Sequence, residues 1–248
     1  MWGVIPAAGR GSRIKPLAFS KELLPVGSRI EGGNERPVAV SEYLVERMLA
    51  CGVKKLCFVI SAGKSDIVEY YGGRIAGADI CYVVQNEPKG LCDALFRALP
   101  FVGDDELVCV GLPDTIWFPK DALANVETDA LTFLLFPVEH PELFDAVSLD
   151  DLGNVREIQV KSSEPSTRWI WGAFKLRGSV LRELYRLWRE PERGDEYIGT
   201  LVNEYLLRGG RARGLRAGRA YADVGTINGY REASRLIEAV KLLETVER

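Results

Sequence analysis

Four cations and no acidic residue occupy the first twenty-one positions: Arg10, Arg13, Lys15 and Lys21. They lie on and just beyond Val4-Ile5-Pro6-Ala7-Ala8-Gly9-Arg10-Gly11-Ser12-Arg13, an apolar run that opens into a loop containing glycines. Glycines let the backbone approach a phosphate, free N–H groups cradle its oxygens, and arginine and lysine supply counter-charge. On a chain with a formal net charge of −3, such a loop reads as a local polyanion site. A solvated basic loop after an edge strand is the plainer reading of the same residues. Two familiar phosphate loops do not fit. A dinucleotide fingerprint would place a third glycine where Ile14 stands, and no Gly-Lys-Ser/Thr ending of a P-loop follows. Lys15-Pro16 also argues against a helix starting directly after the glycines, because the residue before a proline avoids the helical region.

The elements that must hold this loop alternate in kind. Apolar, β-rich runs at 2–7, 55–61, 79–84, 106–111 and 130–136 are separated by helical patterns at 38–51, 64–71 and 91–99. This order predicts an α/β fold, a Rossmann-like, mixed but mostly parallel sheet with helices on both faces. Ligands of such sheets bind at the carboxyl ends of the strands, which is where both the basic loop and Asp114 fall. Beyond residue 140 the pattern predicts a β-hairpin over Ala146–Leu149 and Val155–Val160, and a strand at Thr167–Leu176. Helices follow at 179–189 and 196–208, then a strand at 212–219. An amphipathic helix closes the chain over about 228–246, with Ala233, Leu236, Ile237, Val240 and Leu243 on one face. Residues 28–36 read as a flexible loop.

Composition narrows the function classes. A length of 248 residues with 47% apolar side chains suits a single domain. No basic stripe with interleaved aromatics points to nucleic acid. No apolar run approaches a membrane span, and the N-terminus carries no signal-peptide pattern. Five cysteines (51, 57, 81, 92 and 109) form no CxxC pair and read as reduced thiols, so a cytoplasmic protein is expected. His140, the only histidine, sits at a turn with no Cys or Ser partner and is not expected to be catalytic. Asp93 reads as a solvated or locally hydrogen-bonded helix residue rather than a catalytic one.

Several separate segments then line up in order: Ala7–Arg13, Lys21-Glu22-Leu23-Leu24-Pro25, Gln85, Lys89-Gly90-Leu91, Leu112-Pro113-Asp114, Trp171-Gly172, Gly194-Asp195-Glu196 and Asp223-Val224-Gly225-Thr226. Taken together they resemble the sugar-1-phosphate nucleotidyltransferases, or sugar-nucleotide pyrophosphorylases. The resemblance is nearest to bacterial glucose-1-phosphate uridylyltransferase, with the thymidylyltransferases next. It implies an enzyme of the EC 2.7.7 type with the nucleotide-diphospho-sugar transferase fold. Its substrates would be an NTP and a sugar-1-phosphate, UTP first or dTTP, with neither nucleic acid nor membrane as partner and with room for a homo-oligomer. It also implies, within the one domain, a nucleotide-binding part at about 1–120 and a sugar-phosphate-binding part at about 121–248, and it implies roles. Arg13 and Lys21 would act on the transferring phosphate. Ala7, Ala8, Gly9, Gly11, Ser12, Gln85 and Gly90 would bind the nucleotide, Lys161, Gly172 and Glu196 the sugar phosphate, and Asp114 and Asp223 would hold Mg²⁺.

The chemistry of the residues agrees with these implied roles. A sugar-1-phosphate oxygen is already anionic near neutral pH, so its attack on an α-phosphorus asks for in-line positioning and charge neutralisation rather than a general base. One departure from the family pattern concerns the sugar. Where a glutamate usually precedes the lysine, this chain has Val160-Lys161-Ser162. A cytidylyltransferase with another small phosphate acceptor, or a non-catalytic regulatory paralogue that keeps nucleotide binding, stays open at this point.

Overall fold

The computed structural model describes residues 1–87 and 89–246, the last helix with its side chains through residue 242. In chain order the strands are β1 (Trp2–Pro6), β2 (Pro25–Glu31), β3 (Asn34–Ala39), β4 (Lys55–Ile60), β5 (Arg74–Ile75), β6 (Ala78–Val84), β7 (Leu107–Gly111), β8 (Thr115–Phe118), β9 (Leu131–Pro137), β10 (Ala146–Leu149), β11 (Val155–Gln159), β12 (Trp169–Arg177), β13 (Ala212–Leu215) and β14 (Ala220–Asp223). The helices are α1 (Val40–Ala50), α2 (Ser65–Tyr71), α3 (Gly90–Arg97), α4 (Gly178–Trp188), α5 (Ile198–Leu207) and α6 (Ile227–Val246).

One mixed sheet carries the molecule, in the order β11-β10-β12-β7-β1-β4-β6-β5, with β9 and β13 running off β12. β7, β1, β4 and β6 are parallel neighbours, and β12 joins this group antiparallel to β7. Strand alternation explains why helices cover both faces. Val4, Cys57 and Val59 point to one side, where they pack with Leu95, Leu181, Leu184 and Leu201 of α3, α4 and α5. Ile5, Leu56, Phe58 and Ile60 point to the other, against Leu44 and Met48 of α1 and Ile67 of α2. A third cluster lies outside the sheet, where Ile14, Val26, Val38, Ile116, Val224, Ala233 and Ile237 join the basic loop, the β2–β3 pair, β8, β14 and α6. Leu44 is completely buried, and cutting such a side chain to alanine typically costs about 2–5 kcal/mol.

The main elements form where the pattern puts them, and three places differ. Residues 28–36 are not a flexible loop but most of an antiparallel hairpin, β2 with β3. Gly32 and Gly33 both take left-handed φ, 57° and 82°, which suits a two-residue hairpin turn. The strands carry little apolar signal because charge and α6 hold them: Arg29 pairs with Glu42 and Glu46 of α1. The helix expected from residue 38 starts at Val40, since Val38 and Ala39 end β3. The strand expected at 212–219 divides. β13 stops at Leu215, and the chain then turns into β14, which pairs only with β8 among the described residues. Of the residues named for the face of the closing helix, the side chain of Leu243 lies outside the described residues.

Candidate active site

The basic loop leaves the carboxyl end of β1 and is pinned from below. The Ala7 N–H bonds Val59 O at 2.7 Å, extending the β1–β4 ladder by one residue. The Lys64 ammonium, at the entry to α2, reaches Ala7 O at 2.5 Å and both Glu22 carboxylate oxygens at 2.8 Å. Glu22 is 1% exposed, and burial lifts its pKa against the pull of Lys64 and Lys21. At the far end of the loop, Asp66 accepts from the Ser20 N–H and hydroxyl at 2.6 and 2.7 Å. Ala7 and Ala8 are buried, whereas Gly9, Arg10, Ser12 and Arg13 are exposed and Gly11 is half-buried. The loop is therefore fixed at both ends and open in the middle. A cavity of about 410 Å³ beside it is lined by Arg10, Lys15, Lys21 and Lys64.

Two acid–base pairs meet at the mouth of this loop. Asp114, between β7 and β8, forms a short ion pair with Lys21. Asp223, the last residue of β14, lies 3.8 Å from the Arg13 guanidinium. Thr115 of β8 pairs in register with Asp223, and the Val224 N–H bonds Asp114 O at 2.8 Å, which holds the two carboxylates side by side. Their electrostatics confirm the closeness. Burial and then Asp114 raise the Asp223 pKa, while the Gly225 N–H, Arg13 and Lys21 oppose the rise. Burial would raise Asp114 too, but Lys21 and Arg13 carry it below the ordinary carboxylate value. Gly225 packs directly under Arg13: a Cβ there would lie 2.8 Å from its Nη2 and 2.7 Å from Asp223 Oδ1. Two adjacent carboxylates with hard oxygens suit a divalent cation such as Mg²⁺, completed by phosphate oxygens and water. No third His, Cys, Asp or Glu ligand joins them among the described residues.

The other expected residues fall around this centre. Gln85 follows β6 and is almost fully buried; its amide N–H bonds Asp93 at 2.6 Å and Gly90 O at 3.4 Å. Asp93 in turn holds Arg97. Gly90 opens α3 with φ +84°, and a Cβ there would lie 2.5 Å from Glu196 Cα. Its freedom serves a close approach of two backbones: Leu91 N–H bonds Glu196 O at 2.8 Å. Gly90 and Glu196, expected on the nucleotide and sugar sides, are thus neighbours. Gly172 sits at a register shift of β12 against β9, facing Phe136 and Tyr221. Lys161 lies beyond β11 on the other side of β12, exposed, 3.8 Å from Asp145 and over the Tyr197 ring. His140 is exposed and pairs with Glu142 at 3.1 Å. Pattern reading passed over Glu22, Lys64 and Asp66. Glu22 had one signal, a carboxylate inside the Lys21–Pro25 segment; the other two are visible only once α2 is packed against the loop.

Comparison with known proteins supplies the context. A family model described as nucleotidyl transferase matches residues 2–240. The chain is 30% identical, over 98% of its length and 68% of the relative's, to a low-salt glycan biosynthesis nucleotidyltransferase of Haloferax volcanii. It is 26% identical to the glucose-1-phosphate thymidylyltransferase of Neisseria meningitidis, over 99% of this chain and 85% of that one. A UTP–glucose-1-phosphate uridylyltransferase of Haloferax volcanii is 25% identical over 85% of each chain. Among solved structures, a Bacillus anthracis protein assigned as a glucose-1-phosphate thymidylyltransferase and solved with sucrose superposes with a TM-score of 0.79 at 26% identity, covering 94% of both chains. The UTP-bound UGPase of Acinetobacter baumannii shares the fold, with a TM-score of 0.76 at 19% identity and coverage of 95% of this chain and 92% of that one.

Proposed function

This chain belongs to the nucleotidyl transferase family, and from that membership we propose that it joins UTP or dTTP to a sugar-1-phosphate, releasing pyrophosphate and requiring Mg²⁺. The reading rests above all on one observation: Lys21–Asp114 and Arg13–Asp223 stand together where the basic loop meets the carboxyl ends of the strands. The sugar phosphate supplies its own nucleophile. Its oxygen forms a bond to the α-phosphorus while the bond from that phosphorus to the bridging oxygen breaks, and pyrophosphate leaves with the electron pair. No proton has to move. Arg13 and Lys21 neutralise the charge that builds on the transferring phosphoryl group and its leaving oxygen. Ala7, Ala8, Gly9, Gly11 and Ser12 offer backbone N–H groups and space to the triphosphate. Asp114 and Asp223 would hold Mg²⁺, which when bound draws phosphate oxygens together and offsets their charge.

The choice of base follows from Gln85. Its NH₂ group is committed to Asp93 and Gly90, so its Oε1 is left as an acceptor. Uracil and thymine present an N3–H donor to such an oxygen, whereas cytosine presents a lone pair. Lys161, Gly172 and Glu196 are assigned to the sugar phosphate. A pyrophosphate-release screen of UTP, dTTP, CTP, ATP and GTP against a panel of sugar-1-phosphates tests the whole reading. UTP or dTTP should exceed the others in kcat/KM by at least ~10-fold, since an unpaired buried polar group costs more than a kcal/mol. Excess chelator should abolish turnover, and Asp114→Asn and Asp223→Asn should each weaken the response to added Mg²⁺. Purine nucleotides turned over equally well would exclude the Gln85 role; full activity in chelator would exclude the metal.

A further inference from the structure

Asp145 is a carboxylate that the chemistry above leaves without a task. It stands at the head of β10, where the next residue, Ala146, pairs with Gln159 of β11 on one side and Ile170 of β12 on the other. That register brings it to the end of β11, beside Lys161 and Trp171. Its side chain is only 10% exposed. Burial, the largest influence, lifts its pKa, and Lys161 and Trp171 act against the rise. Apart from a hydrogen bond from the Trp171 indole, the contacts it makes are loose for a carboxylate so deeply placed. The Lys161 N–H donates to it at 3.3 Å, and the Lys161 ammonium stands at 3.8 Å. An ionised carboxylate has about four acceptor positions, and buried ones are normally satisfied.

Its partner is held just as deliberately. Lys161 takes a left-handed φ of 49°, an uncommon conformation for a side chain of this size, and this conformation presents its N–H to Asp145. The side chain is more than half exposed and its ammonium rests over the Tyr197 ring at 5.7 Å, which leaves it open to an anion. The couple faces the reacting centre across one side chain. Tyr221 feels Asp223, Asp114 and Asp145 together, and its ring packs edge-on against Phe144, the residue before Asp145.

We propose that Asp145 reads the acceptor, accepting hydrogen bonds from the C2 and C3 hydroxyls of the sugar-1-phosphate while Lys161 beside it grips the phosphate. The 3.8 Å between the two side chains sets this choice of hydroxyls, because only ring positions near the anomeric phosphate lie within reach of both. Asp145 thereby puts a carboxylate one residue from Val160, where the strand itself offers none. Sugars with a bulky or missing group at C2 or C3 are disfavoured. The proposal rests on the transferase reading above.

The test uses the full chain, the preferred NTP at saturation and Mg²⁺. Glucose-, galactose- and mannose-1-phosphate are compared first, and then the 2-deoxy, 3-deoxy and 6-deoxy forms of the best acceptor. Wild type should lose at least ~10-fold in kcat/KM with the 2-deoxy or 3-deoxy form and less than ~3-fold with the 6-deoxy form, as loss of a hydrogen bond to a charged group implies. Asp145→Ala and the isosteric Asp145→Asn should raise the sugar-phosphate KM by a similar factor and leave the NTP KM unchanged. In Asp145→Ala the penalty for the deoxy form should vanish, as coupling between the two groups requires. The wild-type series needs no variant, so a series blind to position overturns the proposal even where a variant folds poorly, and the loss of the penalty in Asp145→Ala assigns it to this carboxylate. A series blind to position, or a penalty that persists in Asp145→Ala, overturns the role of Asp145 alone. Wild-type protein that releases no pyrophosphate with any pair overturns the transferase reading, and this proposal with it.

Discussion

Arg13 and Lys64 show how different two cations of one site can be. Arg13 is 65% exposed and reaches Asp223 only at 3.8 Å, so folding asks little of it. In the proposed reaction its value lies in the transition state, where charge gathers on the transferring phosphoryl group. Arg13→Ala should therefore cut kcat by at least ~10²-fold with little change in thermal stability; steady-state kinetics beside a melting curve checks both. Unaltered kcat in the folded variant would remove Arg13 from the chemistry. Lys64 is the opposite case. It bonds Ala7 O and both oxygens of the buried Glu22, so it anchors the loop rather than facing substrate. Lys64→Met leaves Glu22 as an uncompensated buried charge, and breaking such a pair typically costs about 3–5 kcal/mol. Chemical denaturation should show a loss of that order, and Lys64→Met combined with Glu22→Leu should recover much of it.

Glu106, just before β7, ties the start of that strand to its neighbours. It accepts from the Gly103 N–H at 2.9 Å, from Lys55 of β4 at 2.9 Å and from the Trp2 indole of β1 at 3.0 Å. The Gly103 bond first and then Lys55 and Trp2 lower its pKa from 4.5 to about 2. The folded value lies below the unfolded one, so the stabilisation is present above pH 4.5 and is lost as pH falls toward 2. Against Glu106→Gln, wild type should be more stable at pH 7, and the gap should narrow once pH drops below about 4.5; unfolding free energies across pH measure it. A gap independent of pH would assign the effect to packing. The same element shows which parts of the fold were readable. β1, β4, β7 and β9 are almost continuous apolar runs because they are buried on both faces, and the sequence shows them directly; β6 also reads as an apolar run although it is mostly half-buried. β2 and β3 are held by the pairs of Arg29 with α1 and by α6, so their residues looked like a loop until Gly32-Gly33 is taken as the hairpin signal. β8 and β14 are four residues each and acquire meaning only as a pair, yet that pair is what sets Asp114 beside Asp223. The candidate-site residues were legible as types in segments; the packing of Lys64 and Asp66 against the loop depends on long-range contacts that no local pattern carries.

Across the molecule, the division of labour in the proposed reaction follows the sheet. The parallel strands β7, β1, β4 and β6 present the basic loop, Gln85 and Asp114 at their carboxyl ends. The antiparallel strands β12, β10 and β11 carry Gly172, Asp145 and Lys161. β14 delivers Asp223 to the seam, and Gly90 touches Glu196 across it. Such a frame favours a reaction in which two bound partners are aligned and their charge is neutralised, with no residue asked to move a proton. The titratable inventory is consistent with that. Burial pushes the Cys92 and Cys109 thiols up, which makes them poor nucleophiles. The single histidine, the side chain best suited to general base work near neutral pH, lies exposed on a loop and engages Glu142 rather than Lys21, Asp114 or Asp223. It does share a cleft of about 760 Å³ with Arg13 and Asp223, so a test is warranted. His140→Gln should keep kcat within ~2-fold of wild type, and its kcat–pH curve between pH 6 and 9 should overlay the wild-type curve. Any decline toward acid in both proteins would then belong to protonation of the acceptor phosphate, whose second ionisation lies at about pH 6. A limb of the wild-type profile that disappears in His140→Gln would show that the histidine moves a proton, and catalysis by alignment and charge alone would have to be given up.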